Sequence, residues 1–316
     1  MKILMPKPSI IRSVLLRVAY NLEFLRIKAR GLLIRIVPCK VFLIETLALF
    51  HGLMSLFTKF NQWKVIARFA KHTGSVIPGW LYILKYFIQR GRDNIWGVVY
   101  CEAGSGIKKY FTVENRDLIE QAVEEGKGAI LVGAHLGPSL YAVMFHELNI
   151  DIRMLASKKF TKYIEEASEF GMKSLISNKV KILKDAQLTL RAGKSERELI
   201  QHLRKGGVVA MHIDFPSHQK QEGVVSDFFG MPMRFNYFPF KLSLSYNAPV
   251  FFYYFNKDKN SGYKLSFSPC GNFSTPEEGI KKYSFFFQKH IISHPFMWNE
   301  LPEFFSWFPN STNPLP

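Results

Sequence analysis

The sequence predicts an α/β fold, a mostly parallel or mixed central sheet flanked by helices, led by an N-terminal basic amphipathic helical region. Three observations predict it. Short apolar runs of strand length alternate with segments of helical period between residues 115 and 295. The first of those runs, residues 129–132, ends in a Gly-Ala-His turn that leads into a helix start, the strand-to-helix step of an α/β unit. The charge pattern changes near residue 92, which divides the chain into a basic region (1–92) and a charge-balanced domain (93–316).

Composition narrows the class. With 316 residues, 47% of them hydrophobic, the chain has material for a large core and is not globally disordered. Its three cysteines, Cys39, Cys101 and Cys270, form no C-x-x-C pair, which argues against a zinc site or a disulfide framework. Residues 1–92 carry 16 Lys/Arg against two acids, a net of +14, and the remaining 224 residues carry 26 against 23, a net of +3. Anionic membranes and nucleic acids are the usual targets of such a surplus. Here the basic residues are interleaved with bulky apolar ones at helical spacing, as in SIIRSVLLRVAYNLEFLRIKARGLLIRIV, the composition of an interfacial helix. No nucleic-acid-binding module is recognisable, so the partner expected is a membrane surface.

Taken in order, residues 9–35 form the amphipathic stretch, and no small-residue cleavage site marks a secretory signal. Residues 41–57 are the most apolar run. Glu45, His51 and Ser55 interrupt it, which favours a helix half-buried in membrane or protein over a span. Residues 78–90 read as an aromatic-rich amphipathic helix, with Trp80, Tyr82, Tyr86 and Phe87 either at lipid headgroup level or in a core. Residues 115–126 form a short helix with a Gly stop. The strand at 129–132 follows, then a helix from Pro138, a strand at 151–156 and a helix at 160–170. Ser195 and Glu198 make a capping box for a helix that runs to Lys205 and stops at Gly206-Gly207. Strands follow at 208–212, 248–255 and 263–267, and a helical segment occupies 276–295.

Two positions stand out as chemistry. His135 sits where a buried strand gives way to a helix, the place where open α/β sheets put ligands, and a neutral imidazole can take a proton near neutral pH. Asp214 lies just beyond the strand at 208–212, in a polar, turn-rich segment. The spacing of His212, Asp214 and His218 is a poor metal-ligand pattern, and neither a metal nor a cofactor is expected. There is no phosphate-binding glycine loop and no G-x-S-x-G elbow, so Ser139 reads as a helix-start donor rather than a nucleophile.

From about residue 93 to about 307 the order of motifs resembles the late acyltransferases of lipid A biosynthesis, the lauroyl and myristoyl transferases of Gram-negative bacteria. The matching segments are AILVGAHLG, the basic MLASKKF, LIQHLRKGGVVAMHIDFPS, GVVSDFFGMPMRF, the NAPVFFYYF and SGYKLSFSP strands, and HPFMWNELPEFF. One departure matters. That family has an acid five positions after the histidine, where this chain has Leu140, and its Arg-containing block has Lys158 and Lys159 as the nearest counterparts. Another acid, Asp214 or Glu147, then has to orient His135, with Asp214 the better placed because it follows a strand end.

The resemblance implies a glycerolipid-acyltransferase-like fold and transfer of an acyl group from an acyl carrier protein or coenzyme A thioester to a lipid A-like acceptor. It implies His135 as a catalytic residue, and Asp214 is taken as its catalytic partner in place of the acid missing at Leu140. Ser139, Lys158, Lys159, Phe228, Phe229, Gly230 and Arg234 would contact substrate. The expected location is the cytoplasmic face of the bacterial inner membrane, peripheral or single-span. The alternatives are aminoacyl transfer to lipid A by a related fold, or a catalytically inactive lipid-binding homologue.

Overall fold

The computed structural model describes residues 40–103, 111–138, 144–145, 148–156, 187–189, 195–216, 223–258 and 262–308. The basic stretch at 9–35, the expected helix at 160–170 and most of the helix expected from Pro138 lie outside the described residues; Met144 and Phe145 are helical. The fold is α/β, with a seven-stranded sheet in the order β1-β9-β8-β2-β5-β3-β4 and a separate two-stranded ribbon, β6–β7. The strands are β1 (Phe111–Glu114), β2 (Ala129–Gly133), β3 (Ile152–Ala156), β4 (Gln187–Thr189), β5 (Val208–His212), β6 (Val224–Phe228), β7 (Met231–Phe235), β8 (Val250–Asp258) and β9 (Gly262–Pro269). Every neighbouring pair in the large sheet is parallel except β8 with β9. The helices are α1 (Lys40–Thr58), α2 (Trp63–His72), α3 (Gly79–Ala103), α4 (Arg116–Glu124), α5 (Ser195–Arg204), α6 (Phe238–Tyr246) and α7 (Pro276–Ser293).

The middle of the sheet explains where a site can form. All five residues of β2 are buried, as befits a strand covered on both faces. Its neighbours β5 and β8 run parallel to it, with Gly133 in register with both His212 and Tyr253. The loops that leave β2 and β5 therefore emerge side by side at the carboxyl end of the sheet, where ligands bind in such folds.

Helices α1, α2 and α3 share one continuous hydrophobic core with the sheet, and the change of charge near residue 92 falls inside α3. Helices α1 and α3 cross closely because Gly52 and Gly91 carry no side chain. A Cβ on Gly52 would sit 2.5 Å from Ile88 Cγ1, and one on Gly91 would sit 2.9 Å from the Ala48 oxygen. Ile44, Ala48, Gly52 and Ser55 make the inward stripe of α1. Its other faces are apolar too: Phe42, Leu49, Phe50, Leu53, Met54 and Phe57 are exposed. Beyond α1 the exposure continues over Phe60, Trp63, Val76 and Trp80. Among the described residues no single helix is long and apolar enough to cross a membrane, but α1 and α2 satisfy length and composition together across a bend of 81°.

Of the two alternatives for the aromatic helix, the core one holds for Tyr82, Tyr86 and Phe87. All three are 1% exposed in the core, and of that aromatic set only Trp80, 68% exposed, faces outward. The reason is the partner surface: α3 packs on α1, on α2 and on the turn at Pro295–Met297, so its aromatic face meets protein. The ribbon β6–β7 is not among the strands expected from the sequence. It is a hairpin whose two-residue turn, Phe229-Gly230, has φ of 56° and 71°, positive at both positions as a type I′ turn requires.

Candidate active site

His135 is the second residue after β2, and Asp214 is the second after β5. The parallel register of those strands brings together two residues 79 apart in the chain. Asp214 is fully buried and the His135 side chain is 29% exposed, so the acid lies inside and the imidazole faces the outside. His135 Nδ1 is 2.6 Å from Asp214 Oδ1, and the His135 backbone N–H donates to Asp214 Oδ2 at 2.8 Å. The Trp298 indole Nε1–H donates to the same Oδ2 at 2.9 Å. A carboxylate can only accept, so Nδ1 carries the imidazole proton and Nε2 is left with its lone pair. That is the tautomer a general base needs.

The turn is held from the other side by the segment after α7. Leu136 forms a bridge with Trp298, the Asn299 N–H donates to the His135 carbonyl at 2.8 Å, and the Gly137 N–H donates to the Met297 carbonyl at 2.9 Å. Asn299 Nδ2 donates to the Gly137 carbonyl at 3.3 Å. Beneath them the Trp298 indole packs among Phe69 of α2, Phe228, Phe229 and Phe304. Phe229 holds a left-handed backbone conformation that a bulky side chain rarely adopts. It is fixed at both polar groups: its N–H donates to Gln288 Oε1, and its carbonyl accepts from His72 Nε2, each at 2.6 Å. Helix α2 thus braces the floor of the site.

The electrostatics follow from this packing. Burial pulls the His135 imidazole down, but the charge and hydrogen bond of Asp214 outweigh it and hold the imidazole above its ordinary value of 6.5. Burial pushes the Asp214 carboxyl up, yet the charge of His135, its ring hydrogen bond and its backbone N–H bring Asp214 down to about 2. His212 stands beside this pair, its ring centroid 4.1 Å from that of His135, and burial together with the neighbouring His135 charge keeps it well below the ordinary imidazole range. Glu300 is held above the usual carboxylate range, chiefly by burial.

The remaining expected site residues divide clearly. Ser139, Lys158, Lys159, Leu140 and Glu147 lie outside the described residues, as does His218. Phe228, Phe229 and Gly230 form the ribbon turn, and the two rings pack under Trp298. Arg234 is on the exposed face of β7, paired with Val225 toward the open end of the ribbon, where it donates to the Gly223 carbonyl at 3.1 Å. Sequence reasoning missed Trp298, His212, Tyr253 and Asn299 as parts of the site. The signal for Trp298 was present in HPFMWNE, but nothing in the linear chain says that its N–H points at Asp214.

The arrangement can take a proton at His135 Nε2 and hold the resulting imidazolium against a buried carboxylate, which suits attack by a hydroxyl or an amine on an acyl carbon. No curated protein matches the chain. A match to a protein family covers residues 96–302, from within α3 through both strand-end loops to beyond Trp298, and by that match the chain belongs to the bacterial lipid A biosynthesis acyltransferase family, which makes it an acyltransferase for a lipid-like acceptor.

Proposed function

We propose that the protein is a membrane-associated transferase that moves a fatty acyl group from an acyl carrier protein or coenzyme A thioester to a hydroxyl of a lipid A-like acceptor, at the cytoplasmic face of the bacterial inner membrane. The observation that carries the chemistry is the His135–Asp214 pair, in which the buried carboxylate fixes the Nδ1–H tautomer. His135 Nε2 takes the acceptor hydroxyl proton as the oxygen attacks the thioester carbon. The tetrahedral adduct collapses by breaking the carbon–sulfur bond, and the imidazolium returns the proton to the leaving thiolate. Asp214 comes from the second strand end and supplies the charge that the acid five positions after the histidine supplies in the resembling enzymes, where this chain has Leu140. Lys158 and Lys159 are the candidates to steady acceptor phosphates, and the acidic surface of acyl carrier protein is a fitting partner for the basic first 92 residues.

The membrane reading rests on two features. One is the charge surplus of residues 1–92. The other is the run of exposed large apolar residues along α1 and the bend into α2, from Phe42 to Trp63. Because α2 also packs under Trp298 through Phe69, a lipid held at that face lies close to the floor of the site. Lipid mass spectrometry of cells carrying the native chain, His135→Ala, or the double variant F50E/F57E tests both halves. The native chain should add the mass of a fatty acyl chain to the acceptor; an aminoacyl mass would select the aminoacyl alternative, and no shift the inactive one. H135A should abolish the shift while the protein stays folded. F50E/F57E should leave the membrane fraction and lose most of the modification. Full activity in H135A would sink the general-base role.

A further inference from the structure

Gly133 is in register with His212 on one side and Tyr253 on the other, so both side chains rise from the same face of the sheet. Gly133 has no side chain, and a Cβ there would overlap the Tyr253 ring. The two rings therefore stack across the central strand, with centroids 5.4 Å apart and planes 28° apart. The column continues to His135, whose ring centroid is 4.1 Å from that of His212 at a tilt of 55°. His212 is half-buried and lies at the very end of β5, two residues before Asp214. An imidazole is thus stacked in place beside the proposed base, and the acid–base pair described above does not use it.

We propose that His212 is a catalytic hydrogen-bond donor to the thioester carbonyl oxygen, stabilising the negative charge that forms there as the acceptor attacks. The inference rests on the acyl-transfer reading above. The reacting hydroxyl binds His135 Nε2 at about 3 Å, and the carbonyl oxygen of the attacked carbon lies about 3 Å from a donor in any site of this kind. The His212 ring, its centre 4.1 Å from that of the His135 ring, stands at the same strand-end turn where that carbon would be held. The donor has to be neutral when His135 becomes charged, since two imidazoliums in contact repel. Burial, together with the His135 charge, keeps His212 in that form. A neutral imidazole still carries one N–H, which is what an oxyanion site requires. Stacking on Tyr253 fixes the ring before substrate arrives, so no reorganisation is needed during the reaction.

The test compares the native chain, H135A, H212F and H212Q in acyl transfer to a lipid A precursor in mixed micelles, from medium-chain thioesters of acyl carrier protein and of coenzyme A. H212F keeps a flat ring against Tyr253 but has no N–H; H212Q keeps a donor. H212F should lower kcat about 100-fold with KM unchanged, and H212Q should recover about tenfold of that loss. Because a neutral group is removed, the acid limb of the pH–rate profile, set by His135, should stay where it is. Native kcat in H212F alongside an inactive H135A overturns the donor role and leaves the general base standing. A loss in H212F that shifts the acid limb and is not recovered by H212Q also overturns it, in favour of a residue that only positions His135. Activity in H135A, or a native chain that transfers nothing from either thioester, overturns the acyl-transfer reading and the donor role with it. If H212F does not fold, H212L is read in its place by the same criteria.

Discussion

Two aspartates, Asp214 and Asp93, are both completely shielded from solvent, and they titrate in opposite directions. Asp214 is brought down to about 2 and Asp93 is pushed up to about 6, burial dominating at the latter. The difference lies in the partners. Asp214 faces an imidazole that can become a full positive charge in direct contact, and it accepts from a backbone N–H and an indole N–H as well. Asp93, on α3, is held by neutral donors, the Tyr263 hydroxyl and Gln89 Nε2, while Arg90 stands 3.8 Å away. The nearby Arg92 is committed elsewhere, to Glu45 of α1 and to the Gln89 oxygen. Burial raises the free energy of any unpaired carboxylate. At Asp214 an opposite charge in direct contact, together with extra donors, reverses the sign. One aspartate is thereby kept charged against a neighbouring imidazole, and the other knits α3 to β9.

The sharpest way to break this contrast is Asp214→Asn. Without the carboxylate, burial is the largest influence left on His135, and its proton is no longer held at Nδ1. Transfer should fall by about three orders of magnitude. The acid limb of what remains should move to lower pH, because Asp214 is the group that raises the imidazole. A steady-state pH profile of kcat/KM reads both effects, and near-native activity in D214N would remove Asp214 from the site.

Asp93→Asn probes the other member. A carboxyl raised from 3.8 to about 6 in the folded protein binds its proton more tightly there than in the unfolded chain. Its contribution to stability is therefore full at low pH and is lost as pH rises from about 4 to 6. At neutral pH the loss amounts to roughly 3 kcal/mol. The behaviour of Asp214 is opposite: its stabilisation is present above about 4 and disappears as pH falls toward 2. His290, pushed down to about 4, tilts the other way from Asp93 in the same window. The measurement is thus the difference in unfolding free energy between D93N and the native chain from pH 4 to pH 7. It should change by about 3 kcal/mol with transfer activity intact; a flat difference would mean that Asp93 stays charged.

The smallest effect sharpens the comparison from within the site. Trp298→Phe keeps a ring among Phe69, Phe229 and Phe304 but deletes one donor to Asp214. A hydrogen bond to a charged group contributes roughly 1.5–3 kcal/mol. The carboxyl should rise from about 2 toward the ordinary range, and kcat/KM should fall about tenfold, with His135 still paired. Unchanged kinetics in W298F would leave the two His135 contacts as sufficient.

How much of this was legible in the chain can be seen residue by residue. The strands at 129–133 and 208–212 and the helices at 116–124 and 195–204 follow from local apolar period and glycine stops, and they appear where those signals place them. The β6–β7 ribbon was not legible, because its turn puts Phe229 in a conformation that sequence reasoning reserves for Gly or Asn. Contacts from distant elements, to Gln288 and His72 at its backbone and to Trp298 at its ring, hold it there. The aromatic face of α3 was ambiguous for a related reason: a Tyr-rich stripe suits a headgroup layer and a protein core equally, and only the packed neighbours decide.

By itself the sequence determined the α/β alternation, the basic and apolar first third, the family, and His135 at a strand end. Each of these is a local pattern, readable within a window of one element. The tertiary structure alone set the geometry of the His135–Asp214 contact and decided that Trp298 closes the carboxylate from 84 residues away. It alone stacked His212 on Tyr253 across Gly133 and left Phe50, Phe57 and Phe60 exposed along the α1–α2 bend. Those outcomes depend on strand order and register, which are set by the packing of the whole sheet and leave no trace in the spacing of residues along the chain.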